Sequence, residues 1–137
     1  MQALIHAVLS SDTIWLIARI LLAVVFLASG LAKVIDFKGG RAEMRNAGLR
    51  PDWLFNIATA ATLLAGATLI LLDRALWLGA GALAVFLMLT IVVVHRFWAL
   101  PKPQAQHALY FALEHVSLIG GLLAAAIASQ YRIMLPA

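Results

Sequence analysis

Ionisable side chains are scarce in this chain of 137 residues: 12% are Asp, Glu, Lys or Arg, whereas 64% are hydrophobic. Those set inside apolar stretches are therefore the candidates for chemistry. Arg19, Phe26, Gly30 and Lys33 follow at spacings of seven, four and three, which places them on one helical face. Arg19 and Lys33 then lie roughly 21 Å apart along the axis. Each can reach toward its nearest aqueous interface, or turn into a helix bundle that Gly30 allows to close up. His107, Tyr110, Glu114, Ser117 and Gly121 form a second stripe at spacings of three, four, three and four, expected to face the interior. A lone carboxylate in apolar surroundings must be protonated or paired, and Lys33 and His95 are its candidate partners. Thr59, Thr62 and Gly66 share a face leading to Asp73, the expected partner of Arg19. The candidate polar interior or ligand-binding set is thus Arg19, Lys33, Thr62, His95, Glu114 and Ser117.

What these residues cannot do is also informative. The chain has no cysteine, which removes disulfides, thiolate nucleophiles and Cys-ligated zinc or iron–sulfur centres. One intramembrane carboxylate and scattered histidines offer no metal-ligand spacing, so no metal site is expected. A bis-histidine haem would need His95 with His107 or His115 at similar depth on facing helices, a weak pattern. No catalytic constellation emerges.

The elements that must position these groups are membrane spans. A soluble domain carries about 25% charged residues, twice what is present here, and the mean hydropathy is +0.99. Crossing a bilayer takes about 20 apolar residues as helix. Four stretches meet that length: 14–35, 53–72, 75–94 and 108–129. Runs such as Leu83–Val94 do not alternate as barrel strands would. The fold expected is an all-α membrane protein, a four-transmembrane-helix bundle in one domain spanning 1–137. Pro51, Pro101, Pro103 and Pro136 all fall outside the spans, where they cost no helical hydrogen bond. Trp15, Trp53, Trp77, Trp98, Tyr110 and Tyr131 sit near span ends, as an interfacial aromatic belt does. Met1–Leu9 suits a short interfacial helix, and Ser10, Ser11 or Asp12 could cap the first span. In the first loop Gly39, Gly40 and Gly48 are expected to interrupt helix, leaving one or two amphipathic turns over Arg41–Ala47. Gly79, Gly81, Gly120 and Gly121 are expected to let helices approach closely.

Loop charge gives the orientation. Lys38, Arg41, Arg45 and Arg50 follow the first span and Arg96 and Lys102 the third, against Arg74 and Arg132 on the other side. The excess of Lys and Arg places the first set in the cytoplasm, with both termini outside it. The net charge of +4 thus describes topology. It does not imply nucleic-acid binding, which would need a folded basic surface with base-reading or stacking groups.

The ordered strings RILLAVVFLASGLAKVIDF (19–37), NAGLRPDWL (46–54), LLAGATLIL (63–71), His95-Arg96-Phe97-Trp98 and HVSLIGGLL (115–123) resemble the DoxX family of small four-helix membrane proteins over roughly Ile14–Ile127. Two departures stand out. Thr62 occupies a position where relatives often carry an acidic residue, and Glu114-His115 stands where many have Lys-Asn. The family includes relatives of the DoxD subunit of a thiosulfate:quinone oxidoreductase and members proposed as membrane partners of redox enzymes. The resemblance therefore implies a multi-pass inner-membrane protein, an accessory or anchor subunit of a quinone-linked oxidoreductase system. Quinone is the one cofactor it suggests, with Arg19, Lys33, His95 and Glu114 lining the polar interior. The partners implied are the lipid bilayer, a membrane redox subunit and a second copy of the chain. A small transporter or permease, with the same residues as a proton or solute path, is the alternative. A structural assembly factor without ligand is the third.

Overall fold

A computed structural model describes residues 1–134 of the chain; Pro136, expected beyond the last span, lies outside them. Six α-helices are present among the described residues. They are α1 (Gln2–Leu9), α2 (Asp12–Ile35), α3 (Phe37–Asn46), α4 (Asp52–Leu72), α5 (Leu76–Val93) and α6 (Gln104–Met134), with a 3₁₀ turn over Phe97–Ala99 before α6. Four of them, α2, α4, α5 and α6, are long and apolar enough to cross a membrane. The 31 residues of α6 rise about 46 Å, more than the hydrocarbon core of about 30 Å demands.

Helix ends follow the local sequence. Pro51 is the N-cap of α4 with φ −72°, the value its ring enforces. Asp73 closes α4 in the left-handed region at φ 52°, and Ala75 opens α5 at φ 45°, so α4 and α5 turn back on each other almost without a loop. Ser11 precedes α2 but makes no side-chain capping bond. The interfacial helix expected at the N-terminus is α1, which buries none of its residues.

The glycine expectation for the first loop fails in part. Gly39 and Gly40 sit inside α3 and only Gly48, at φ 79°, ends helical structure. Gly40 is buried against α4, where an added methyl would overlap the Asn56 carboxamide. Its role is close approach.

The spanning helices pack in the order α2–α4–α5–α6, each extensively on the next, while α2 and α6 touch only briefly. Ala23 and Phe26 of α2, Leu63, Ala67 and Ile70 of α4, Leu76, Ala80, Leu83 and Leu87 of α5 and Leu122 of α6 form the buried core. Glycines at two contacts set the spacing: a Cβ on Gly30 would lie 2.8 Å from Leu64 Cγ, and one on Gly79 would lie 2.8 Å from the Gly66 carbonyl oxygen. Gly81 and Gly120, also expected to pack, have open space instead.

Candidate functional site

At the end of the bundle that holds the α4–α5 turn, Arg19, Trp15, Asp73 and Ser129 converge. Asp73 accepts hydrogen bonds from Trp15 Nε1 at 2.6 Å and Ser129 Oγ at 2.7 Å. It therefore joins α2, the α4–α5 turn and α6. Arg19 donates to the Leu71 carbonyl at 2.6 Å and lies 5.6 Å from the Trp15 ring centroid. The expected Arg19–Asp73 pair does not form, because tryptophan and serine already occupy both carboxylate oxygens. Trp15 is thus a structural donor, unlike Trp53, Trp77 and Trp98, which stay exposed as belt residues do. Arg132 pairs with Asp12 across the same end.

At the opposite end, α3 lies across α2 and α4. Lys33 turns its ammonium to Glu43, and Arg41 and Arg45 both hold Asp52. Asn56 is fully buried and donates to the Lys33 carbonyl at 3.3 Å. Of Arg41, Glu43, Arg45, Asp52 and Asn56, the two arginines entered the sequence reading only as loop charges and the other three escaped it. Three of them sit on α3, whose glycines were read as breakers. Arg19, Phe26, Gly30 and Lys33 do share the face of α2 turned toward α4.

The expected partnership of Lys33 with Glu114 is overturned. Lys33 is spent on Glu43, and Glu114 is exposed together with Tyr110, Ser117 and Gly121. The polar stripe of α6 faces the outside of the bundle. The inward face is Ala108, Ala112, His115, Ile119, Leu122, Ala126 and Ser129, at alternating spacings of four and three, all buried or half-buried. Small side chains let α6 sit close to α5 along this line, which turns the Tyr110–Gly121 line outward. His95 does not meet Glu114 either. It stacks on Phe111, centroids 5.2 Å apart, and meets the edge of His115 at 4.8 Å. Two imidazoles in direct contact leave no room for a haem plane between them. Thr62 donates within its own helix to the Ala58 carbonyl at 2.8 Å. Among the described residues no group of three or more His, Asp or Glu is placed to hold a metal ion.

The six candidates therefore divide among separate places. Arg19 belongs to the cluster at the α4–α5 turn, Lys33 to the ion pairs around α3, His95 to an aromatic stack and Thr62 to its own backbone. Glu114 and Ser117 share a groove. It occupies about 740 Å³ along the α2/α6 seam, between Leu22 and Val25 on one wall and Tyr110, Leu113, Glu114, Ser117, Leu118 and Gly121 on the other. Its origin is the brief contact between α2 and α6, which meet where a Cβ on Gly121 would lie 3.6 Å from Leu22. The walls are apolar except for one carboxylate, one phenol and one hydroxyl. Such a lining suits an amphipathic molecule with a polar head.

The family model for DoxX matches residues 14–96. That match spans α2, α3, α4 and α5 and ends just past His95. The chain belongs to the DoxX family. No curated protein and no solved structure matches it. In this DoxX protein the groove wall on α2 lies within the matched residues and the wall on α6 beyond them.

Proposed function

We propose that this DoxX protein is an accessory membrane subunit of a quinone-linked oxidoreductase system in the bacterial-type inner membrane, and that it meets quinone in the α2/α6 groove. One observation carries the proposal: α6 presents Tyr110, Glu114 and Ser117 outward along an apolar groove open to the surroundings of the bundle. A carboxylate there is costly in lipid and marks a functional position. A quinone has a polar head and an apolar tail, and reaches such a groove by lateral diffusion. The chain has no cysteine and so no ligands for an iron–sulfur cluster, which is why the role proposed is accessory, with electrons handled by a partner subunit.

A transporter reading is less well supported. Phe26, Leu63, Leu83, Leu87 and Leu122 pack the interior and separate the outer Asp73 cluster from the inner Asp52 cluster. A path would have to form between copies.

Purification in native-lipid nanodiscs followed by mass spectrometry of the lipid extract tests the proposal. Quinone is expected at close to one per protomer, well above its share of the membrane, and Ser117→Phe, which fills the groove from an exposed position, should bring it back to that share. Quinone at the bulk ratio in the parent protein contradicts the proposal. Solute flux in reconstituted vesicles without quinone enrichment would replace it with the transporter reading.

A further inference from the structure

The two flanks of α3 carry opposite charge, and only one of them is neutralised. At about 100° per residue, Lys38, Arg41 and Arg45 fall within about 60° of one another. They lie beside the line of Gly40 and Met44, which is buried against α4. Glu43 lies on the other flank and takes Lys33 of α2. The basic flank reaches Asp52 at the start of α4, whose carboxylate is saturated. One oxygen accepts from Arg41 Nε at 3.2 Å and from the Trp53 N–H at 2.7 Å, the other from Arg45. A guanidinium has five N–H donors, so both arginines, 41% and 39% exposed, keep donors that Asp52 does not use. Lys38 and Arg50 are exposed and pair with no carboxylate among the described residues. Asp36, which precedes α3, caps it by accepting from the Gly39 N–H at 2.9 Å. Four cations thus share one carboxylate.

The position of this flank identifies the anion it suits. α3 joins the end of one span, at Ile35, to the start of the next, at Asp52, which is the level of lipid headgroups. Ile35 and Phe37 before the basic residues, and Trp53 and Leu54 after Asp52, are exposed apolar side chains. A soluble anion has no use for them, whereas a phospholipid brings acyl chains as well as a phosphate. The guanidinium fork matches phosphate oxygens. We propose that Lys38, Arg41, Arg45 and Arg50 form a headgroup site for an anionic phospholipid. Loop charge sets topology by its count alone; a headgroup site needs the cations side by side. The site holds whichever way the chain is inserted, and it is independent of what enters the α2/α6 groove.

Native mass spectrometry of the detergent-purified protein, titrated with phosphatidylglycerol or phosphatidylcholine of the same acyl chains, resolves single lipid adducts and tests this. Each Lys or Arg beside an anionic headgroup is worth about a fivefold change in Kd. Phosphatidylglycerol is therefore expected to bind about tenfold or more tightly than phosphatidylcholine. Lys38→Gln should weaken phosphatidylglycerol about fivefold and leave phosphatidylcholine unchanged. Because Lys38 is exposed and has no partner, this variant should melt with the parent, which separates binding from folding. Adding Asn46→Lys restores the charge about 100° around α3 from the basic flank and should not restore binding. Equal affinity for the two lipids, or Lys38→Gln binding phosphatidylglycerol as the parent does, would overturn the proposal. So would recovery by Asn46→Lys, which would show that charge count alone matters. Glycerol phosphate, the headgroup without its chains, binding as tightly as the lipid would overturn the assignment to the membrane.

Discussion

Gly40 and Asn56 set how closely α3 lies on α4. Asn56 is buried completely and its carboxamide rests on the bare Cα of Gly40. A methyl there has nowhere to go, since the carboxamide also holds the Lys33 carbonyl of α2. Gly40→Ala should therefore cost about 1–3 kcal/mol, the usual penalty for overpacking, seen as a lower melting temperature in detergent. Gly81→Ala is the control. Nothing lies within 4 Å of its added Cβ, and removing a helical glycine gains up to about 1 kcal/mol. Equal shifts for the two variants would show that the α3–α4 contact is loose. Residue types alone did not reveal this pair, because a Gly-Gly step reads equally as a helix break and as a contact point. The partner that decides between them is 16 positions away.

The α4–α5 turn is held by one carboxylate. Asp73 bonds Trp15 on α2 and Ser129 on α6, so three elements depend on a single side chain. Asp73→Ala removes both bonds and should destabilise the bundle by roughly 2–4 kcal/mol, given the value of hydrogen bonds to a charged acceptor. Trp15→Phe and Ser129→Ala, each removing one bond, should cost less, and neither should add much once Asp73 is gone. Full additivity in detergent melts would mean that the three groups act independently. The helices themselves were legible in the sequence, because their lengths and hydropathy are set by the bilayer. The direction α6 faces was not. Its two lines, Tyr110–Glu114–Ser117–Gly121 and Ala108–Ala112–His115–Ile119–Leu122–Ala126–Ser129, share the same four-and-three spacing. In water the polar line would face out and the apolar line in. In lipid that rule lapses, and the small side chains of the second line decide the packing.

The molecule is an open arc of spanning helices with a polar cluster at each end and an apolar core between. Loop charge predicts its topology, and the prediction can be checked directly, since the 137 residues include no cysteine to interfere with labelling. Single cysteines at the exposed positions of Lys38 and Lys102 should be modified by an impermeant maleimide only after the cytoplasmic side is opened, and one at Arg74 in intact spheroplasts. The reverse pattern would invert the molecule in the membrane and put Asp73 inside. The packing leaves the seam between α2 and α6 open, and the functional account depends on what enters it. Photoaffinity labelling with an azido-quinone in nanodiscs, with adducts mapped by mass spectrometry, tests this most directly. The account predicts saturable adducts on Leu22–Val25 and Tyr110–Gly121, displaced by unlabelled quinone. Adducts confined to other surfaces, such as the His95–His115 contact between the end of α5 and α6, or labelling that unlabelled quinone does not displace, would contradict it.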